Sequence, residues 1–137
     1  MTIRGVDSPA KPSTWLGSNG IVYHDLTGFS HLNLEVVRYI HTAHVRVAGR
    51  QARPVLLVGH DILTIDFEVQ LFASHPAVLG AVQALAVVGN SFMLRHLIAM
   101  FLSYHQPAYP VMRFDDQAEA EAWLLGSQEQ DDSQINL

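Results

Sequence analysis

A chain of 137 residues with 8 basic and 13 acidic side chains has room for one domain with one core, and it lacks the clustered basic surface that a nucleic-acid binder needs. Hydrophobic residues make up 49% of it and charged residues only 15%, against about 25% in an ordinary soluble protein, so more apolar surface needs covering than one small domain covers by itself. The absence of cysteine excludes disulfides, thiolate metal sites and cysteine nucleophiles.

The opening MTIRGVDSPAKPSTW has no apolar segment of the secretory type, and no window approaches the ~20 apolar residues of a membrane span, so a cytoplasmic protein is expected. Residues 1–12, with Pro9 and Pro12, read as a flexible arm. A folded α/β domain is expected over 13–126 and a disordered acidic tail, SQEQDDSQINL, over 127–137. Asn19-Gly20, between TWL and IVYHDL, predicts a hairpin with a type I′ turn. His24 is expected on a face or at the edge of its second strand. A helix follows from Leu34, with Asn33 as N-cap, Val36, Ile40, Ala43 and Val47 at helical spacing, and Gly49 just past its end. His41 and His44 share one side of it and are expected at its solvent boundary.

After Pro54, VLLV is a short continuous apolar run of the kind that forms a strand buried on both faces. GHDILTID then leads into a short helix over about 66–74 that Pro76 stops. ALAVV at 84–88 is another buried strand. Ser91 is placed to cap the helix of FMLRHLIAMFLSY, whose apolar residues Phe92, Met93, Leu94, Leu97, Ile98, Met100, Phe101 and Leu102 cover most of its circumference. VMRF at 111–114 is a strand, and a last helix runs from about Asp116 to Leu125, with Asp116 and Glu119 at capping-box spacing. The order is β-β-α-β-α-β-α-β-α. Single buried strands separated by helices imply right-handed crossovers and a mostly parallel sheet.

With that element order, the chain resembles the STAS-like group, which has the fold of the anti-sigma-factor antagonists, and more closely a set of small bacterial STAS-like proteins. The resemblance rests on Trp15 with GIVY, on RPVLLVGHDILTIDFE, on ALAVVGNSFMLRHLIAMFL and on YPVMRFDDQAEAEAWLL, and it covers about residues 14–125. It implies a single STAS-like domain acting as a non-catalytic regulatory or protein-interaction module with a regulatory protein partner. In the anti-sigma antagonists an Asp-Ser pair opens the helix after the second buried strand, and that Ser is phosphorylated. Asp66 falls on the Asp and Phe67 on the Ser. Phe has no hydroxyl, so the resemblance carries the site without its switch, and the Phe67 ring is expected to pack near the start of that helix.

The residues themselves leave other chemistry open. Asp61 and Asp66 suit turn and cap roles, and Thr64 a loop role. Ser91 follows a strand as in a G-x-S-x-G elbow, but Met93 stands where the second glycine belongs, and no His follows Asp115 or Asp116. A hydrolase would have to use Ser91 or His60, with His60 or His105 completing a triad in another order. No cofactor or metal motif occurs. The expected interaction or ligand residues are therefore Asp61, Thr64, Asp66, Phe67, Ser91, Met93 and Met100. Two roles compete with catalysis: a homodimer using the 92–104 helix, and a carrier or sensor of a small apolar or anionic ligand held between helices.

Overall fold

The computed structural model describes residues 11–105 and 108–135. The chain runs through β1 (Ser13–Leu16), β2 (Val22–Asp25), β3 (His31–Leu32), α1 (Leu34–Ala48), β4 (Arg53–Val58), β5 (Thr64–Ile65), α2 (Phe67–Ala73), α3 (Pro76–Leu79), β6 (Val82–Val88), α4 (Phe92–His105), β7 (Val111–Phe114) and α5 (Gln117–Ile135). The helix ends form where side chains satisfy free backbone N–H groups. Val36 N–H donates to Asn33 Oδ1 at 2.9 Å, Leu94 N–H to Ser91 Oγ at 3.0 Å and Ala118 N–H to Asp116 Oδ1 at 3.0 Å. Gly49 closes α1 at φ 70°, a conformation costly for any residue with a Cβ.

β1, β2, β4, β6 and β7 form one sheet in that order, β1 antiparallel to β2 and every later pair parallel. This is the mostly parallel α/β architecture expected from the strand and helix order. Side chains alternate across it with the pleat. Ile21, Tyr23, Leu56, Ala84, Ala86 and Val88 form one core with Ala120 and Leu124 of α5. Leu57, Leu85 and Val87 point the other way, into a second core with Leu26, Ile40, Ile62, Val69 and Leu94 under α1, α2 and α4. The alanines of β6 let a single helix, α5, close the first face. The second face needs three helices.

The structure departs from the sequence expectation at several places. The hairpin turns at Ser18-Asn19 rather than Asn19-Gly20: Gly20 N–H donates to Gly17 O at 3.0 Å, and Gly20 follows at φ 88°. Asn19 is held in place by its own side chain, whose Oδ1 accepts from Ile21 N–H at 3.1 Å. Pro76 does more than stop α2. It opens the one-turn helix α3, where a missing N–H costs nothing. β3 and β5 pair as a separate parallel ladder that no run of apolar residues announces, with His31 opposite Thr64 and Leu32 opposite Ile65.

α5, expected to end at about Leu125, continues through Ile135. The segment has neither Pro nor Gly after Gly126, and its Gln and Glu residues are good helix formers. The expected arm over 1–12 lies, apart from Lys11 and Pro12, outside the described residues.

His24 lies on a face of β2, an interior strand, and is buried there, and His44 is buried in the second core rather than at the solvent boundary. Phe67, the first residue of α2, is 65% exposed, and the helix turns Val69 inward instead. Leu56→Ala should therefore lower stability by about 2–5 kcal/mol in urea denaturation. Phe67→Ala should change it by no more than about 0.5 kcal/mol. Equal losses would contradict this burial pattern.

Candidate functional site

Two of the places that bring polar chemistry together lie on opposite sides of the β3–β5 ladder. On its outer side, His31 Nδ1 lies 2.6 Å from Thr64 Oγ1, and His31 Nε2 lies 3.1 Å from Asp66 Oδ1. Thr64 and Asp66, singled out in the sequence, are thus joined through His31, which was not. Asp66 ends in the N-cap position of α2 but makes no side-chain cap bond, because its carboxylate is turned to the histidine. Asp61 lies beside this corner as a loop clasp, its Oδ2 accepting from Gly28 N–H at 2.8 Å.

A hydroxyl, an imidazole and a carboxylate in series is the order that activates a nucleophile. Here two of the nearest backbone donors are already in use. The Leu63 and Thr64 N–H groups, which could otherwise stabilise an oxyanion, both donate to Ser30 O, at 2.7 and 3.1 Å. The His31 and Asp66 side chains are nearly half exposed. The Ser91 hydroxyl serves as a helix cap. His60 is exposed, and the His105 side chain lies outside the described residues.

On the inner side of the ladder, Leu32 and Ile65 face a cavity of about 180 Å³ between the sheet and α1, α2 and α4. Its walls are apolar, from Ile62, Val69, Leu85, Val87, Leu97 and Ile98 among others. α2 has only 7 residues, about 10 Å of helix, and breaks at Ser74-His75-Pro76, so it covers less of the sheet than α1 or α4. Residues at spacing 94, 97, 98 and 101 of α4 face inward here. Met100 is 38% exposed, and Met93, two turns earlier on the same helix face, is half-buried.

Polar side chains reach this cavity from β2, α1, α2 and the loop before β7. His24, His41 and His44 all line it, with ring centroids 5.8 Å apart for His24–His44 and 6.3 Å for His41–His44. His24 Nδ1 is 2.8 Å from Thr14 Oγ1. Burial, and then the neighbouring His44 and His41, push the His24 pKa down to about 3. Burial also lowers His44, with His41 adding to it and the Ala81 carbonyl opposing it; His41 is lowered by burial and then by His75. These rings are therefore neutral at pH 7. Tyr109, also in the wall, donates to Ala73 O at 3.0 Å, and burial raises its pKa to about 12.

The sequence did contain a sign of the buried histidine. His44 stands four residues after Ile40 and three before Val47, inside the inner stripe of α1. Among the described residues, no group of three His, Asp or Glu side chains converges as a metal site. No helix among them is long and apolar enough to cross a membrane.

The chain belongs to the family described as a domain of unknown function, DUF7793, whose model matches residues 14–128. Comparison with curated proteins gives no match. Among solved structures, it is similar to an uncharacterized protein of the DUF3478 family with a SpoIIAA-like fold from Shewanella loihica PV-4. That likeness has a TM-score of 0.55 and 11% identity over 82% of this chain and 91% of the other. The fold is thus SpoIIAA-like, the STAS-like fold that the sequence resemblance implied.

The neutral histidines make stability depend on pH. An unfolded histidine titrates near 6.5, and His24 in the folded protein near 3. Between those values the unfolded chain binds more protons, so stability is present above pH 6.5 and is lost as pH falls through the window. His41 and His44 act in the same direction. One such proton gives a slope of at most about 1.4 kcal/mol per pH unit. Urea denaturation from pH 6.5 to 5, above the usual carboxylate range, should show a shallower slope for His44→Leu than for the wild type. Parallel slopes would mean that the His44 ring accepts a proton in the folded protein as readily as in the unfolded one.

Proposed function

We propose that this chain is a non-catalytic STAS-like regulatory module that holds a small apolar molecule between its sheet and α1, α2 and α4, and presents the result at the β3–β5 corner. The cavity is the observation that carries this reading. An engineered closed cavity of about 150 Å³ lined by aliphatic and aromatic side chains binds benzene, and this pocket, of about 180 Å³, mostly apolar and open to solvent on one side, has the volume for a comparable guest.

The ladder couples the two places through alternation alone. Leu32 and Ile65 face the cavity, while their neighbours His31 and Thr64 face outward and are bonded to each other. A guest that pushes on Leu32 and Ile65 moves the residues that carry the His31–Thr64–Asp66 chain. Phe67 at the first position of α2 provides no phosphate acceptor, so the corner on this reading answers to the cavity rather than to a kinase. A regulatory protein that reads the corner is the partner this arrangement suits, and the 1–12 arm would stand apart from the 13–126 domain.

Self-association is a second reading, favoured by the outer side of α4. Phe92 and Tyr104 are each 75% exposed and Met100 is 38% exposed, in a chain with few charges to keep such surface in water. A two-fold contact uses the same side chains twice, so one substitution acts on both copies.

Titration with toluene, followed by methyl NMR, tests the main reading. Resonances of Ile62, Val69 and Leu97 should shift saturably, the amides of His31 and Thr64 should follow, and Leu124 in the opposite core should stay in place. Unmoved lining methyls at saturating toluene would end the ligand reading, and shifts confined to the lining would end its coupling to the corner. For self-association, light scattering should give a dimer mass at tens of micromolar that Met100→Glu with Tyr104→Glu halves while the circular dichroism stays unchanged. A monomer mass for the wild type would remove the dimer.

A further inference from the structure

Resting on the self-association reading and going further than it, we infer that a second copy joins this chain through the free edge of β7, in the one register that sets Met112 opposite the partner's Met112, so that the two sheets run on as one. β7 is the last strand of its sheet, with β6 on one side only. Leu85 N–H donates to Pro110 O at 2.9 Å and Gly89 N–H to Phe114 O at 3.0 Å. In the parallel β6–β7 ladder, residues 110, 112 and 114 therefore turn their backbone groups toward β6. Val111 and Arg113, between them, turn N–H and C=O outward, and no described residue takes these groups.

A sheet edge is ordinarily blocked by a proline, a bulge or a charge held over it. β7 carries none of these in a blocking position. Pro110 precedes the strand, and the N–H it lacks would point at β6. The Arg113 side chain is folded back, donating to Gly89 O and to Asp115. Beside the edge runs a groove between α4 and β7, apolar along Ile98, Ala99, Leu102 and Val111. Met112 and Leu102 are exposed at its rim, on the same side of the molecule as this open strand.

The edge is its own complement. A two-fold axis pairs one strand with itself antiparallel. Centred on Met112, it sets Val111 opposite the partner's Arg113 and Arg113 opposite the partner's Val111, and each of these pairs exchanges N–H and C=O in both directions. Every outward backbone group of the strand is then used. Centred on Arg113, it would set two guanidinium-bearing residues directly opposite, which is unfavourable. Centred on Val111, it would carry Arg113 past Pro110 into the partner's loop. The Met112 register also keeps both α4 helices on one side of the joined sheet, with their Ala99 and Leu102 sides toward each other.

Three measurements on the full chain test this. Val111→Pro removes an N–H that bonds nothing within one copy, at the first residue of an edge strand, where proline is tolerated. It should give a monomer mass in light scattering at the concentration where the wild type is a dimer, with unchanged circular dichroism. In the wild type, the amides of Val111 and Arg113 should exchange at least about tenfold more slowly at tens of micromolar than under dilution to monomer, a readout that needs no variant to fold. The chain has no cysteine, so Met112→Cys supplies a single thiol. Opposed residues at such a position lie ~4.5 Å apart, within disulfide reach. Oxidised glutathione should therefore convert Met112→Cys to a covalent dimer and leave Ser13→Cys, on the opposite edge, monomeric. A wild-type dimer with freely exchanging Val111 and Arg113 amides, or one that Val111→Pro leaves intact, would overturn the edge pairing and leave the α4 contact standing. Equal cross-linking of both cysteine variants, or of neither, would overturn the register. A monomeric wild type would remove self-association altogether.

Discussion

A parallel sheet buried on both faces is the constraint from which the other features follow. β4 and β6, paired from Pro54 and Ala84 to Val58 and Val88, have no edge and no solvent face, so every side chain along them must meet a helix. Strand pleating sends consecutive residues to opposite sides, and the two sides receive different cover. Ala84 and Ala86, with Ala120 across from them, bring one long helix close. Leu57, Leu85 and Val87 hold the other layer further out, and three helices of unequal length share it. The void exists because the shortest of the three ends early.

The carboxyl ends of the parallel strands add a second constraint. Gly59 N–H donates to Val88 O and Gly89 N–H to Phe114 O, each at 2.9–3.0 Å, so the backbones of successive strand exits lie against one another. A Cβ on Gly89 would run into Leu94 and stand 3.1 Å from Gly59 O. Arg113 finishes this edge by donating to Gly89 O at 2.9 Å and to Asp115 at 2.5 Å. The loop after Gly59 must then leave sideways. It pairs Thr64-Ile65 with His31-Leu32, which makes the ladder between cavity and corner.

Burying histidines beside such a void has a cost. Each ring is an imidazole taken out of water, and His44 keeps one ring nitrogen without a partner. An aliphatic side chain of similar volume would pack there without that penalty. The polar atom is thus at odds with maximal stability. The corner is different: its ionisable side chains are partly in water and satisfy one another, and its backbone donors are already in use.

Much of this fold was legible in the residues because it rests on local rules. Asn33, Ser91 and Asp116 cap helices through atoms two or three residues away. Gly49 adopts a conformation that only its own missing Cβ makes easy, and VLLV and ALAVV announce strands with no solvent face. Asp66-Phe67 at the start of α2 was readable in the same way. What the chain order did not carry were the relations between distant segments. The β3–β5 pair is two residues on each side, too short for any period to show, and it alone joins His31 to Thr64 and Asp66. The exposure of Phe67 depends on which way α2 rolls over Ile62 and Val69. The inner stripe of α1 contained His44, but its apolar neighbours made a histidine there look like a boundary residue, and only the packed helices make it a wall. Periodicity and capping are properties of neighbours along the chain, and a single sequence is enough to read them. A cavity is the space left over when helices of given lengths cross a sheet, and that remainder is decided only when all of them are in place.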